Sequence, residues 1–175
     1  MKDLFLTRPT SEYASQIIEY RSEFLHAGDS MDGCGPLRRT EDPEEYIQIC
    51  KEYEDLTKVP KHLVPATQFF LVRKSDNRLI GMIQVRHCFN DYLEKYAGHI
   101  GYSVRPSERR KGYAKKMLKM TLPYCREIGL DKVLITCING NIGSEKTILS
   151  NGGVYESTVH EPNENEDLKR FWIKL

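Results

Sequence analysis

The segment from His99 to Ile138 constrains the fold of this chain more than any other part of the sequence. It begins with a β-rich run, His99–Arg105, and ends with Lys132–Ile138, a continuous apolar run of the kind that is buried on both faces of a sheet. Between them, Gly112–Ile128 has apolar residues on one face and lysines on the other, which is typical of an amphipathic helix. This order predicts a crossover that joins two parallel strands of one sheet.

The rest of the sequence predicts further strands and helices around this unit. Strands are expected at Leu4–Thr7, Thr67–Arg73, Leu79–Arg86, Val154–Val159 and Arg170–Leu175, and helices at Ser11–His26, from Pro43 onward, and at Ser144–Leu149. Three glycines and a proline indicate that residues 27–41 form a loop, which could cover a site. A length of 175 residues and the element order predict one α/β (α+β) domain, 1–175, with helices packed on a mixed sheet.

Composition excludes several classes of protein. Apolar residues make up 39% of the chain, which argues against wholesale disorder. No apolar run approaches the roughly 20 residues that a membrane span needs, and the N-terminus lacks the apolar stretch of a signal peptide. A cytoplasmic protein without a membrane partner is therefore expected. The five cysteines are odd in number and share no C-x-x-C spacing, so neither a disulfide framework nor a metal site is expected.

Charge is distributed unevenly, although the formal net charge is only +1. Arg105–Lys119 contains seven basic residues and one acidic residue, whereas Glu41–Asp55 contains seven acidic residues and one basic residue. The basic stretch favours an anionic ligand, and the acidic stretch could accept a cationic one. Both stretches are also compatible with solvated helix faces. The near-zero net charge and the few aromatic residues in the basic helix argue against a nucleic-acid-binding module.

The turn between Val104 and Gly112 has the features of an anion-binding site. A helix start leaves backbone N–H groups without partners and carries partial positive charge. Gly112 has no side chain, so a ligand can approach the backbone closely, and Arg109, Arg110 and Lys111 add full charges. Neither G-x-x-x-x-G-K-[ST] nor G-x-G-x-x-G occurs, which excludes a P-loop and gives no support to a dinucleotide fold. The pattern fits a pyrophosphate site and leaves a basic surface turn as the alternative.

The same residues resemble a known family. Arg109–Ala114, RRKGYA, is similar to the Q/R-x-x-G-x-G/A signature of the GNAT superfamily of acyl-CoA N-acyltransferases. The resemblance continues through Asn141-Ile-Gly-Ser144 and Asn151-Gly-Gly153, where the family has N-x-x-S/A, a helix and closing glycines. It covers the C-terminal half closely, and GHIGYSVRPSERRKGYA resembles a branch of predicted bacterial acetyltransferases. Over residues 1–66 it rests on the order of elements alone.

The resemblance implies a particular fold and a co-substrate. The fold would be a mixed, mostly antiparallel sheet of six to seven strands, with helices on both faces and a V-shaped splay between the fourth and fifth strands. Acetyl-CoA would place its diphosphate on the backbone of Lys111–Ala114 and its pantetheine arm on β-strand backbone, with no metal involved. The implied cofactor-binding residues are Tyr102, Val104, Arg109, Arg110, Lys111, Gly112, Tyr113, Ala114 and Asn141.

The implied reaction moves the acetyl group of acetyl-CoA to a primary amine of a small molecule or peptide, directly and within a ternary complex. Asn141 would bind the pantetheine or orient the amine, and Ser144 would lie near the thiol. His99 is a candidate catalytic base, because an unperturbed histidine pKa of about 6.5 suits proton transfer at neutral pH. A strand histidine satisfied by its neighbours is the alternative. Strand alternation does not decide which face meets the substrate.

One departure from the family pattern leaves catalysis open. Many members have a tyrosine seven positions after the motif asparagine, and here that position is Ile148. The thiolate then leaves unassisted or with help from water or another residue. The alternative function is a catalytically silent acyl-CoA-binding regulatory or sensor domain. If Glu41–Asp55 and the loop before it line the acceptor side, a cationic amine is expected, and the family is compatible with a homodimer.

Overall fold

A computed structural model of the chain describes residues 3–175 and, within them, seven strands in two sheets. The first sheet has the order β1 (Leu4–Thr7), β2 (Ala66–Arg73), β3 (Arg78–Arg86) and β4 (Ile100–Val104). The second contains β5 (Lys132–Ile138), β6 (Val154–Glu161) and β7 (Glu166–Lys174), with β7 in the middle. Every ladder formed by these strands is antiparallel.

The helices occur where the sequence pattern predicts them. They are α1 (Ala14–Ala27), α2 (Pro43–Glu52), α3 (Tyr113–Glu127) and α4 (Ile142–Leu149), with short 3₁₀ turns at Ser11–Tyr13 and Pro106–Glu108. Asp42 caps α2 by accepting a hydrogen bond from the backbone N–H of Glu44, and α3 runs through Pro123. A π-helical turn at Leu93–Ala97 was not predicted.

The two sheets meet at one point between the fourth and fifth strands. The N–H of His99 donates to the Leu134 carbonyl (2.7 Å), and an isolated antiparallel bridge joins Gly98 to Ile135. Beyond this contact, no ladder of described residues joins β4 to β5. The crossover through α3 is present, but the expected parallel pairing is not: β5 pairs with β7 on one side and is an edge strand on the side toward β4. The sheet therefore opens here, which confirms the splay that the family resemblance implied.

Helices cover both faces of the first sheet, as expected. One hydrophobic cluster lies under α3 and the second sheet and includes Leu71, Ile83, Met117 and Ile148, while the other lies under α1 and α2 and includes Tyr20, Phe24, Phe70 and Met82. Neighbouring residues of β2 and β3 enter different clusters, which explains why both strands are almost continuously apolar. None of the helices in residues 3–175 is long and apolar enough to cross a membrane.

Candidate active site

A cavity of about 510 Å³ lies between β4, the start of α3 and the start of α4. The loop between α1 and α2 forms its remaining wall, so the predicted loop does border the site. The residues that line it include Asp29, Asp32, Tyr102, Val104, Glu108, Arg109, Arg110, Gly112, Tyr113, Ala114, Lys115, Asn141, Ser144 and Lys146. The cavity thus brings together predicted site residues from two distant parts of the sequence, the segment around the turn before α3 and the start of α4.

The start of α3 lies at this cavity without a side-chain cap. Gly112 is the N-cap residue and has a left-handed backbone conformation (φ 75°), and no side chain accepts a hydrogen bond from the first turn. The first backbone N–H groups of a helix have no partner within it, so those of Tyr113 and Ala114 are available to a ligand. A Cβ added to Gly112 would meet no protein atom within 4 Å, so this glycine borders open space. The arrangement can bind an anion through backbone amides.

The three cations of the predicted anion-binding turn, Arg109, Arg110 and Lys111, differ in their contacts. The Arg109 guanidinium donates to the Val104 carbonyl (3.0 Å) and pairs with Asp29 (2.6 Å). Arg110 is exposed and forms none of the ion pairs found in residues 3–175. Arg109 therefore joins the end of β4 to the α1–α2 loop, and Arg110 remains available to an anion. Lys115 and Lys146 also line the cavity.

Lys111 instead helps to stabilise the turn before α3. Its ammonium lies 2.8 Å from the buried carboxylate of Glu108, which also accepts two hydrogen bonds from Arg73 (3.1 and 3.2 Å). Burial alone would raise the pKa of Glu108, but the hydrogen bonds from Arg73 and Lys111 outweigh it and hold the pKa below its usual value. Arg73 also donates to the Tyr113 hydroxyl (3.0 Å), which orients the first residue of α3.

Asn141 and Ser144 lie on the opposite wall, at the start of α4. The Asn141 side-chain oxygen accepts a hydrogen bond from the Ser144 N–H (3.0 Å), so the motif asparagine is the N-cap of this helix. The Ser144 hydroxyl lies 2.8 Å from the hydroxyl of Tyr102, which extends from β4. Burial raises the pKa of Tyr102, so the phenol keeps its proton at neutral pH. The prediction used only the backbone of Tyr102 and missed its side chain.

The structure does not bring His99 to the cavity. The residue is buried just before β4, and its Nδ1 accepts a hydrogen bond from the Leu134 N–H (2.9 Å). The centroids of the His99 and Phe89 rings are 3.9 Å apart. Burial, with a smaller contribution from the charge of Arg86, lowers the pKa of His99 to about 4. The alternative interpretation, a strand histidine satisfied by its neighbours, describes these contacts. Ile148 is fully buried in the core and has no polar group to offer.

The acidic stretch Glu41–Asp55 does not line the cavity. Glu54 instead binds Arg8 through two hydrogen bonds, and Glu44 accepts one from Ser11. The loop before this stretch supplies two acidic residues of the cavity wall, Asp29 and Asp32, in addition to Glu108 from the turn before α3. Of the two, Asp29 forms an ion pair with Arg109.

Asp32 is exposed and forms no ion pair among residues 3–175, although its carboxylate accepts a hydrogen bond from Ser30 (2.8 Å). The glycine-rich loop was the sequence signal that could have found it. In the same part of the chain, no group of three or more histidine, cysteine, aspartate or glutamate side chains could hold a metal ion.

Comparison with known proteins gives one family and a set of similar folds. A sequence profile described as the acetyltransferase (GNAT) family matches residues 33–150. No curated protein matches the chain in sequence.

Three solved structures have similar folds. The ribosomal-protein-S5-alanine acetyltransferase from Vibrio fischeri superposes with a TM-score of 0.75 at 20% identity, over 99% of this chain and 94% of that one. RimL, a ribosomal L7/L12 alpha-N-protein acetyltransferase in complex with coenzyme A, has a TM-score of 0.73 at 14% identity, over 100% and 96% of the two chains. The microcin C7 self-immunity acetyltransferase MccE, in complex with acetyl-CoA and AMP, has a TM-score of 0.71 at 16% identity, over 100% and 94%.

Proposed function

The chain belongs to the acetyltransferase (GNAT) family, and on this premise we propose that it transfers the acetyl group of acetyl-CoA to a primary amine. The transfer is direct, within a ternary complex, and residues 1–175 act as one acetyltransferase domain. The observation that carries this proposal is the uncapped start of α3 at the cavity, where Gly112 leaves the backbone open to a ligand. Two of the similar structures are complexes with coenzyme A or acetyl-CoA, which agrees with this choice of co-substrate.

Acetyl-CoA binding is assigned to the basic end of the cavity. The diphosphate accepts hydrogen bonds from the amides at Gly112, Tyr113 and Ala114, because these groups have no partner in the helix. Arg110 supplies the free positive charge next to them. The pantetheine arm lies along the backbone of Tyr102 and Val104 in the opening between the sheets. Arg109 acts indirectly, since it holds the end of β4 against the α1–α2 loop.

The chemistry needs little from the protein beyond this positioning. The nitrogen of the neutral amine attacks the acetyl carbon, the new C–N bond forms, and the C–S bond breaks with its electron pair on sulfur. The proton that the nitrogen loses passes to water, since His99 lies outside the cavity. Asn141 uses its side-chain oxygen to cap α4, which leaves its N–H groups to bind the pantetheine or the acceptor.

The acceptor is proposed to be a cationic amine of a peptide or small molecule. Asp32 is an exposed carboxylate in the cavity wall, and no described lysine or arginine pairs with it. An ammonium group is attracted to such a carboxylate before it loses its proton and reacts. Two of the similar proteins are named for acetylation of a protein: an alanine of ribosomal protein S5, and the alpha-amino group of L7/L12. These names support an amine acceptor.

The experiment that tests the proposal measures thiol release from acetyl-CoA in the presence of a panel of amines. The panel contains short peptides with free amino termini, polyamines and amino acids, and mass spectrometry identifies the acetylated product. Turnover with at least one primary amine is the expected result. Tight acetyl-CoA binding without turnover on any amine would identify a regulatory or sensor domain instead. No binding of coenzyme A or its acyl esters would contradict both functions.

A further inference from the structure

We propose that Glu108 is a positioning residue for the diphosphate of acetyl-CoA, and that it acts by fixing the start of α3 through the side chains around it. The inference rests on the proposed function, because the helix start that Glu108 supports is the one to which the diphosphate is assigned. It also accounts for a carboxylate in the wall of a cavity whose other features favour an anion.

Glu108 lies where its own charge opposes the ligand. It lines the cavity together with Gly112 and Tyr113, and only 9% of its side chain is exposed. Burial acts to raise the pKa of Glu108, but hydrogen bonds from Arg73 and Lys111 lower it overall, so the carboxylate is charged at neutral pH. A negative charge at this point repels a diphosphate. Any benefit to the ligand must therefore come through the residues that Glu108 holds.

The Glu108 carboxylate is connected to both sides of Gly112. On one side it lies 2.8 Å from the ammonium of Lys111. On the other side it accepts two hydrogen bonds from Arg73 (3.1 and 3.2 Å), and Arg73 in turn donates to the Tyr113 hydroxyl (3.0 Å). The residues before and after the glycine are thus held by one buried carboxylate.

The hairpin of β2 and β3 supplies the rest of this support. Arg73 is the last residue of β2, and Asp76 in the following turn pairs with it at 2.6 Å. Arg78, the first residue of β3, lies 3.6 Å from Glu108. A bidentate arginine–carboxylate pair fixes orientation as well as distance. The start of α3 is therefore tied to the end of the first sheet.

The turn needs this support because its backbone conformation is unfavourable. Arg110 has a φ of 64° and Gly112 a φ of 75°, both in the left-handed region, where arginine is disfavoured. No side chain caps the first turn of α3. Amides that must be ordered during binding lose affinity, whereas amides that are already aligned do not. Glu108 provides this alignment before the ligand binds.

The test measures the Kd for coenzyme A by calorimetric titration in Glu108→Gln, because the two effects of the carboxylate have opposite signs. Loss of a negative charge beside the diphosphate would by itself tighten binding. Loss of the contacts to Arg73 and Lys111 would weaken binding, because the amides are no longer aligned. We expect the Kd to rise about fivefold to twentyfold, the lower part of the range for one hydrogen bond to a charged group, since Glu108 acts indirectly.

Tyr113→Phe tests the same connection without a change of charge. It removes only the hydroxyl that accepts a hydrogen bond from Arg73, and the Kd should rise about twofold to fivefold. The double variant should bind no more weakly than Glu108→Gln alone, because both substitutions break one chain of contacts. If Glu108→Gln does not fold, Tyr113→Phe decides by itself, and an unchanged Kd there overturns the proposal.

Glu54→Gln is the matched control for the general loss of an ion pair. Glu54 also binds an arginine, Arg8, through two hydrogen bonds (2.8 and 3.1 Å), and neither residue lines the cavity. The Kd for coenzyme A should be unchanged in this variant. An equal rise in Glu54→Gln and Glu108→Gln would identify a loss of overall stability and overturn the positioning role.

The remaining outcomes separate this inference from the proposed function. A Kd that is unchanged or lower in Glu108→Gln would overturn the positioning role and leave the transferase function intact. Failure of the wild-type protein to bind coenzyme A would overturn both. Where an acceptor amine is identified, Glu108→Gln should raise KM for acetyl-CoA by a similar factor and keep kcat within about twofold, because it weakens binding of the co-substrate and not the chemical step. A fall in kcat with unchanged KM would contradict the role.

Discussion

Gly33 lies directly against the backbone of Gly101. A Cβ added to Gly33 would come within 2.1 Å of the Gly101 carbonyl oxygen, and Gly33 has a positive φ of 70°. Its carbonyl oxygen also accepts a hydrogen bond from the buried side chain of Gln68 (2.8 Å). The contact between two glycines lets the α1–α2 loop sit on β4, and it thereby holds the preceding residue, Asp32, at the cavity.

This contact predicts that Gly33→Ala is strongly destabilising. The added methyl group must displace β4 or the loop, and alanine is strained at positive φ, so the free energy of unfolding should fall by about 2–4 kcal/mol. Gly28→Ala is the matched control, because Gly28 also has a positive φ (64°) but an added Cβ there meets no atom within 4 Å. Gly28→Ala should lower the free energy of unfolding by only about 1 kcal/mol. Denaturant unfolding measures both, and equal losses would contradict the close contact.

The proposed diphosphate site predicts a specific loss of co-substrate affinity in Gly112→Val. The side chain would enter the space at the uncapped start of α3 and keep a phosphate from the backbone, so the Kd for acetyl-CoA should rise at least about tenfold. Gly129→Val tests whether backbone strain alone is responsible. Gly129 follows the other end of the same helix, has a positive φ (87°) and also borders open space. Calorimetric titration should show unchanged affinity there; an equal loss in both variants would argue against the site.

The acceptor assignment predicts that Asp32→Asn weakens the binding of a cationic amine. Because Asp32 is exposed, the loss should be modest, with KM for the amine rising about threefold to tenfold and the Kd for acetyl-CoA unchanged. Asp131→Asn, at an exposed position outside the cavity, should leave both constants as they are. Steady-state kinetics at low ionic strength makes the comparison. If the protein acetylates only neutral or acidic amines from a panel that also contains cationic ones, the role of Asp32 is contradicted.

The placement of His99 predicts a particular dependence of stability on pH. Its pKa is about 4 in the folded protein and 6.5 for the unperturbed side chain, so below pH 6.5 the unfolded state takes up the proton first. The wild-type protein should therefore lose about 3 kcal/mol of stability as the pH falls from 6.5 to 4, a loss that ends once the folded state is protonated as well.

His99→Gln should remove this part of the pH dependence, whereas His26→Gln, at an exposed position, should retain it. Urea unfolding at several pH values gives the slope of the free energy of unfolding against pH. The pH–rate profile of His99→Gln should keep its shape near neutrality, because the ring lies outside the cavity. A profile that loses its neutral limb in this variant would restore His99 as the base.

Local patterns predicted the elements around the site closely, and the reason is physical. The strand expected at His99–Arg105 is Ile100–Val104, and the helix expected at Gly112–Ile128 is Tyr113–Glu127. Apolar periodicity and a glycine at a helix start act over a few neighbouring residues, so the sequence contains the whole signal. The prediction of the final strand was less accurate. β7 begins at Glu166 instead of Arg170, because its hairpin with β6 extends it into a polar region that lacks apolar alternation.

Side-chain roles were harder to predict, because they depend on partners that are distant in the chain. Arg109 and Arg110 are adjacent and chemically identical, yet only Arg109 meets a carboxylate, that of Asp29. His99 has an ordinary strand sequence around it, and its burial follows from Phe89 and from Leu134 of the second sheet. The hydroxyl pair of Tyr102 and Ser144 joins residues 42 positions apart.

The sequence by itself determined the backbone of this site: a strand, a basic turn that ends at a glycine, and a helix whose first amides point at that turn. These features follow from local steric preference and from the period of apolar residues. Only the tertiary structure decided which side chains reach the cavity. That choice depends on where the two sheets separate and on how the α1–α2 loop packs on β4, and both are set by contacts between segments that the chain order keeps far apart.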